Sequence, residues 1–156
     1  MARLELRRIL PLLLVTVALA ACGEGGPTDG EDDEELGHPP AAMVASWTYQ
    51  SVTENGSPAS LADVLDWDPA ATAARVHVQA NGAYVYEEVN SAGGQLSAES
   101  GWIFVDEEGP TIEFHIQLTD AGVVDQRFTV VYGLSGSTMT LTQSVSGSTL
   151  VFTLTK

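Results

Sequence analysis

Residues 111–118 read TIEFHIQL, a run in which apolar and polar side chains alternate strictly. Successive side chains of a β-strand point to opposite faces, so this alternation predicts a strand with one face to bury. The same period runs through QRFTVVYGL at 126–134 and TLVFTLTK at 149–156. Short segments that contain Gly and Ser, such as SGS at 135–137, separate neighbouring runs. Connections this short favour antiparallel hairpins and leave no room for crossover helices.

The pattern continues toward the N-terminus with one longer connection. Between ARVHVQA and AYVYEEV, the pair Asn81-Gly82 predicts a type I′ turn, because both residues tolerate a positive φ. The longer connection contains SPASLADVLDW at 57–67, a predicted helix with Ser60 as its N-cap and Pro69 beyond its end. Eight strands are predicted in all: 43–53, 74–80, 83–89, 95–105, 111–118, 126–134, 138–144 and 149–156.

Eight strands joined mostly by hairpins can bury their apolar faces by curling into a closed sheet. We therefore predict an all-β fold for residues 43–156, an eight-stranded antiparallel up-and-down barrel with one short helix between the first two strands. An immunoglobulin-like sandwich is the alternative, although it requires longer Greek-key connections than most of those found here. A barrel of this size is either packed solid or wide enough for one small ligand.

The N-terminal residues have the pattern of an export signal. Three arginines precede the apolar run ILPLLLVTVALA, which is too short to span a bilayer as a stable helix. The run ends in small residues directly before Cys22, the only cysteine of the chain. We predict a signal peptide over 1–21 and a disordered tether over 22–42, where Gly, Pro and acidic residues leave little to bury.

Charge restricts the partners that this chain can bind. The chain has 6 basic and 21 acidic residues, and three of the basic residues lie in the predicted leader. Nucleic acid is an implausible partner, because phosphate backbones are bound by Lys and Arg. Anionic lipid surfaces would repel the chain as well, so attachment to a membrane would have to come from lipid chains.

The sequence Leu19-Ala20-Ala21-Cys22 resembles the lipobox of bacterial lipoproteins. The resemblance implies that the Cys22 thiol receives a diacylglycerol and becomes the new N-terminus, which makes membrane lipid a partner. Two or more acyl chains are enough for stable anchoring. It also implies a place in the cell envelope, and Gly23 after the cysteine, where a sorting Asp is absent, favours the outer membrane facing the periplasm.

Residues 43–156 resemble the lipocalin-like domains of bacterial lipoproteins, within the calycin group. The resemblance rests on an early tryptophan in Ala45-Ser46-Trp47, one longer and partly helical connection, the segment SAESGWIFVDEEGPTIEF and the closing Gly-Ser hairpins. It implies that Trp47 is a packing residue that plugs one end of the barrel. In lipocalins an arginine of the last strand packs over this tryptophan, and Lys156 is the only base nearby.

Aromatic side chains on the middle strands are the candidate ligand contacts. They are either ordinary core or the lining of an apolar calyx in which tyrosine hydroxyls orient a small hydrophobic ligand. The segment from Asn55 to Thr72 would then lie near one mouth as a lid. A structural or interaction module with a filled core, which meets another envelope protein, is the alternative function. The candidate contacts are Tyr84, Tyr86, Trp102, Phe104, Phe114, Phe128 and Tyr132.

Catalytic chemistry has little support in the sequence, and we predict no enzyme, metal or cofactor. His77 and His115 fall on the polar faces of their strands, which favours solvent-facing imidazoles over catalysis. The acids around Asp66-Trp67-Asp68 lack the glycine and the distant glutamate of an EF-hand loop. Glu87-Glu88 and the acids at 106–108 flank turns, and we interpret them as surface residues that serve solubility.

Overall fold

Antiparallel strand pairs make up most of residues 38–106 and 108–156, the part of the chain that the computed structural model describes. The predicted signal peptide, the predicted lipidation site at Cys22 and most of the predicted tether lie outside these residues. The elements are β1 Ser46–Glu54, β2 Ser57–Ala59, α1 Leu61–Leu65, β3 Ala73–Val78, β4 Ala83–Val89, β5 Gln95–Val105, β6 Thr111–Thr119, β7 Gly122–Ser135, β8 Thr138–Val145 and β9 Ser148–Thr155.

The first strand closes the barrel by pairing with both ends of the meander. Strands β3 to β9 lie side by side in chain order, and β1 pairs with β3 over Ser46–Thr48 and with β9 over 48–54. The predicted antiparallel barrel of eight strands is therefore confirmed. The sandwich alternative is wrong, because one continuous sheet returns to its own first strand. Strand β2 is an addition that pairs with the end of β1.

The two asparagine–glycine pairs of the domain form different turns. Asn55 and Gly56, with φ of 51° and 80°, form the two-residue turn between β1 and β2. At the second pair only Gly82 has a positive φ. There the Gly82 N–H donates to the Gln79 carbonyl at 3.0 Å, so the predicted type I′ turn at Asn81-Gly82 is wrong. The longer reversal needs the left-handed conformation only at its glycine.

Helix α1 is shorter than the predicted segment because residues 57–59 pair with β1 as a strand. Its start agrees with the cap prediction, since the Asp63 N–H donates to the Ser60 side chain at 3.3 Å. The helix packs its apolar residues against the barrel core. Residues 55–72, which we call the capping segment, thus cover the end of the barrel where β1 finishes and β3 begins.

The opposite end of the barrel is filled by Trp47. This side chain is fully buried, and its indole N–H donates to the Met43 carbonyl at 2.7 Å. The Lys156 ammonium lies 4.9 Å from the centre of the indole ring and donates to the Ala42 carbonyl at 3.0 Å. A lysine of the C-terminus therefore covers the tryptophan of the first strand, and the chain enters the domain at this plugged end.

Candidate functional site

Polar side chains enter the barrel from β4 and β5 near the capping segment. Tyr84, Tyr86 and Glu88 occupy alternate positions of β4 and so share its inner face. Across the β4–β5 pair, Tyr86 lies opposite Glu99 and Glu88 lies opposite Ser97. Residues directly opposite in an antiparallel pair project to the same side of the sheet, so both carboxylates point into the barrel.

Tyrosine hydroxyls hold both carboxylates. The Tyr84 hydroxyl donates to Glu99 Oε1 at 3.3 Å, and the Tyr86 hydroxyl donates to Glu88 Oε1 at 3.2 Å. Glu88 is fully buried, and its Oε2 accepts the main-chain N–H of Asp68 at 2.8 Å. Buried carboxylates need such donors, because an unpaired buried charge costs several kcal/mol.

A third tyrosine, Tyr49 of β1, completes what we call the tyrosine–glutamate cluster: Tyr49, Tyr84, Tyr86, Glu88 and Glu99. Burial is the main reason that the pKa of each tyrosine lies above its ordinary value. The negative charge of Glu99 raises the pKa of Tyr49 and Tyr84 further, and Glu88 does the same for Tyr86. The three phenols are therefore neutral at physiological pH and keep their protons as hydrogen-bond donors.

Aromatic rings extend from this cluster into the barrel. The Tyr84 ring meets Phe114 edge-on at 5.2 Å, and Phe114 stacks on Phe128 at 4.9 Å with an interplanar angle of 3°. Gly101, the β5 partner of Tyr84, contributes no side chain that would separate the first two rings. On the other side, Tyr49 contacts Tyr86 and Phe152 edge-on, at 6.0 and 5.8 Å. The interior thus has a polar end and an aromatic end.

Several of these inward side chains are not fully enclosed. Tyr49, Tyr86 and Phe128 pack against the core yet are only half-buried, whereas Tyr84 and Phe114 are buried. These inward rings therefore keep some contact with solvent. Aromatic rings with nearby polar groups are the combination typical of small-molecule sites.

The structure divides the seven predicted ligand contacts into two groups. Tyr84, Tyr86, Phe114, Phe128 and Tyr132 face the interior. Trp102 and Phe104 do not, and their assignment to the barrel lining is wrong.

The pairing of β5 explains the outward position of these two rings. Gly101, Ile103 and Val105 fill the inner positions of the strand and are buried. Trp102 is 36% exposed and donates from its indole to Gln117 Oε1 at 3.1 Å. The Phe104 ring lies 4.5 Å from that of His115, on the outer face.

The prediction also missed the acidic half of the site. The prediction that Glu88 is a surface residue that serves solubility is wrong, because its side chain is fully buried. The signal was present in the sequence: Glu88 follows Tyr84 and Tyr86 at the period of a strand. Tyr49 and Glu99 stand in mixed runs whose inward face is decided by register with the neighbouring strands.

Both histidines of the barrel lie on its outer surface beside carboxylates. The His77 ring contacts Glu87 Oε1 at 3.1 Å and Ser46 Oγ at 2.7 Å, and the His115 ring contacts the Glu113 carboxylate. Within residues 38–106 and 108–156, no three His, Cys, Asp or Glu side chains come together as a metal site. No helix of this described part is both long and apolar enough to cross a membrane.

Comparison with known proteins adds no relative: no protein-family model, no curated protein and no solved structure matches this chain.

Proposed function

We propose that this protein is a lipid-anchored lipoprotein of the bacterial cell envelope whose lipocalin-like barrel binds a small hydrophobic ligand. The observation that carries the binding function is the set of inward aromatic side chains, among them Tyr49, Tyr86 and Phe128, that remain partly accessible inside a closed sheet. A solid core would enclose such rings completely, as it does for Trp47 at the plugged end.

The position of Lys156 supports the lipocalin-like part of the proposal. The lipocalin pattern places an arginine of the last strand over the tryptophan of the first strand, and here Lys156, directly after β9, lies over Trp47 in its stead. The Ala45 that precedes the pair replaces the glycine of that pattern. The arrangement of plug, closed sheet and capping segment leaves the end near α1 as the route for a ligand.

Native mass spectrometry of the protein purified from its own envelope tests ligand binding. We expect a co-purifying small molecule that is lost in Phe128→Trp, because the larger ring fills space inside the barrel. Phe104→Trp is the matched control, since Phe104 lies on the outer face. Absence of any bound molecule in the wild type, or equal retention in both variants, would contradict a site inside the barrel.

The anchor is tested by the intact mass of the mature protein. Acylation would give a chain that begins at Cys22 and carries at least two fatty acyl groups, and the protein would fractionate with membranes. Cys22→Ala would abolish both. A mature chain that is cleaved near residue 21 but carries no lipid would contradict the anchor and leave the barrel function unaffected.

A second candidate function is a protein-interaction module, and the outer face of the barrel favours it. Trp102 and Val131 are exposed there at 36% and 49%. Crosslinking in intact cells from a photoreactive residue that replaces Thr129, on the same face, tests this function. The same residue placed at Ser51 of β1 is the matched control. A specific adduct from position 129 alone, together with a barrel free of small molecules, would favour the interaction module.

A further inference from the structure

Strand β7 is longer than the neighbour that covers one of its two sides. It runs over Gly122–Ser135, but only Val131–Ser135 pairs with β8, opposite Thr138–Thr142. The remaining residues of β8 pair with β9 alone. Residues 125–130 of β7, which we call its free edge, therefore have β6 on one side and no strand of the described part of the chain on the other.

Main-chain hydrogen-bonding groups of the free edge point away from β6. The Tyr132 N–H donates to the Pro110 carbonyl at 2.7 Å, on the β6 side. Along an antiparallel strand, residues that bond one neighbour alternate with residues that bond the other. The register against β6 is regular over residues 126–131, so the N–H and carbonyl groups of Arg127 and Thr129 are directed to the open side. Such a row of groups is a template for a further strand.

Both faces of β7 are uncovered at the start of this edge. The Asp125 and Arg127 side chains are 84% and 61% exposed, and the 3.8 Å between Arg127 Nε and Asp125 Oδ1 places them on one face of the strand. Gln126 between them points to the other face and is exposed as well. The free edge thus presents an acid and a base, two residues apart, to whatever lies beside it.

This arrangement of charge is complementary to itself. If two copies of the edge pair antiparallel about a two-fold axis at Gln126, Asp125 of each copy lies opposite Arg127 of the other. Opposite charges across a strand pair stabilise it, and like charges destabilise it. An axis at Asp125 or at Arg127 would place like charges opposite each other. The axis at Gln126 also keeps the second strand away from Val131, where the pairing with β8 begins.

We propose that two copies of this protein pair through the free edges of their β7 strands, antiparallel about an axis at Gln126. The contact is isologous, because the same residues contribute from both copies, and one sheet then continues from barrel to barrel. This inference goes beyond the proposed function, since it does not depend on what the barrel holds.

The interface is short. The register of β6 against β7 shifts between Ile116 and Leu118, where β7 has one residue more than β6. Such a bulge ends the regular part of a strand edge, so the pairing relies on few main-chain hydrogen bonds and on the two charge pairs. Copies that share a membrane, as proposed from Cys22, meet at a high local concentration, which favours a short interface.

Disulfide trapping in intact cells tests the proposed axis with the full-length protein. In Gln126→Cys the two Cα atoms at the axis would lie about 4.5 Å apart, within reach of a disulfide. Under mild oxidation we expect a covalent dimer that reduction returns to monomer. Ser51→Cys, at an exposed position of β1, is the matched control and should remain monomeric. The wild type, with Cys22 alone, is the blank.

Charge reversal tests the register in the Gln126→Cys background. Arg127→Asp places Asp opposite Asp, and Asp125→Arg places Arg opposite Arg, so each should lower the yield of dimer about fivefold or more. The two changes together restore opposite charges and should restore the yield. Arg75→Asp makes the same change of charge on the outer face of β3 and should leave the yield within about twofold of its starting value, because it lies outside the interface.

The outcomes decide the partner as well as the register. Trapping of Gln126→Cys no greater than that of Ser51→Cys would overturn the pairing, and so would a disulfide to a different protein alone. Equal yields with and without charge reversal would overturn the self-complementary register. If the charge variants fail to accumulate, the comparison of the two cysteine positions decides. Loss of the dimer with a small molecule still bound would leave the proposed function intact.

Discussion

The main-chain N–H of Asp68 donates a 2.8 Å hydrogen bond to the Glu88 carboxylate, which joins the capping segment to the inner wall of β4. The same carboxylate accepts the Tyr86 hydroxyl at 3.2 Å. Glu88 is fully buried, and its carboxylate links the capping segment to the candidate ligand site inside the barrel.

Removing the Glu88 carboxylate should loosen the capping segment and destabilise the fold. Glu88→Ala leaves the Asp68 N–H and the Tyr86 hydroxyl without their acceptor, and each unsatisfied buried donor costs about 1–3 kcal/mol. We expect a lower free energy of unfolding in urea and faster amide hydrogen exchange over residues 61–72.

Glu87→Ala is the control for this change, because its side chain lies on the outer face of the same strand. It should leave hydrogen exchange in the capping segment unchanged. Equal exchange rates over residues 61–72 in Glu88→Ala and the wild type would show that Glu88 does not hold the segment.

Gly101 is expected to be intolerant of any side chain. A Cβ at this position would overlap the main-chain carbonyl of His115 on β6, where the pairing of β5 and β6 shifts register. Gly101→Ala should therefore lower the unfolding free energy by about 2 kcal/mol or more, through displacement of the backbone. Gly109→Ala, whose Cβ would meet only ordinary contacts from 3.7 Å, should change stability little. Similar midpoints in urea for both variants would contradict the close approach.

Lys156 should stabilise the plugged end of the barrel. Lys156→Ala removes the cation above the Trp47 ring and the donor to the Ala42 carbonyl, and exposed cation–π pairs contribute about 0.5–1 kcal/mol. Lys156→Arg should retain most of this, because a guanidinium can stack on an indole. Thermal unfolding of the three proteins tests the prediction. It fails if the alanine and arginine variants melt together, whether above or below the wild type.

Stability should fall steeply in alkaline solution. Burial raises the pKa of Tyr49, Tyr84 and Tyr86 in the folded protein, whereas in the unfolded chain these groups ionise near pH 10. Above about pH 10 the unfolded state loses protons that the folded state keeps, so each tyrosine can lower the unfolding free energy by about 1.4 kcal/mol per pH unit.

Urea unfolding at pH 8 to 11 measures this slope, and below pH 9 the curve should be flat with respect to these groups. Tyr49→Phe should make the alkaline fall shallower by removing one of the three contributions. An identical slope in the variant and the wild type would show that Tyr49 ionises equally in both states.

Where apolar and polar residues alternate strictly, the sequence predicts both that the segment is a strand and which of its side chains point inward, because the same period-2 pattern decides both. TIEFHIQL is such a case as far as Ile116, since Ile112, Phe114 and Ile116 are buried in the structure. Leu118 lies beyond a register shift and is 50% exposed, so its predicted buried position is wrong. The run GWIFV of β5 is apolar at consecutive positions and has no such period, so the sequence could not tell whether Phe104 or Val105 faces inward. Its register against β4 and β6 decided that Trp102 and Phe104 lie outside.

The sequence by itself determined that this chain folds as an antiparallel meander, because local alternation and short glycine turns are enough to specify hairpins. Only the tertiary structure decided that β1 closes the sheet against β9 and that Tyr49, Glu88 and Glu99 meet inside it. These contacts join residues up to about a hundred positions apart. Their formation depends on the curvature of the whole sheet and on the register of every strand pair, and no short stretch of sequence specifies these.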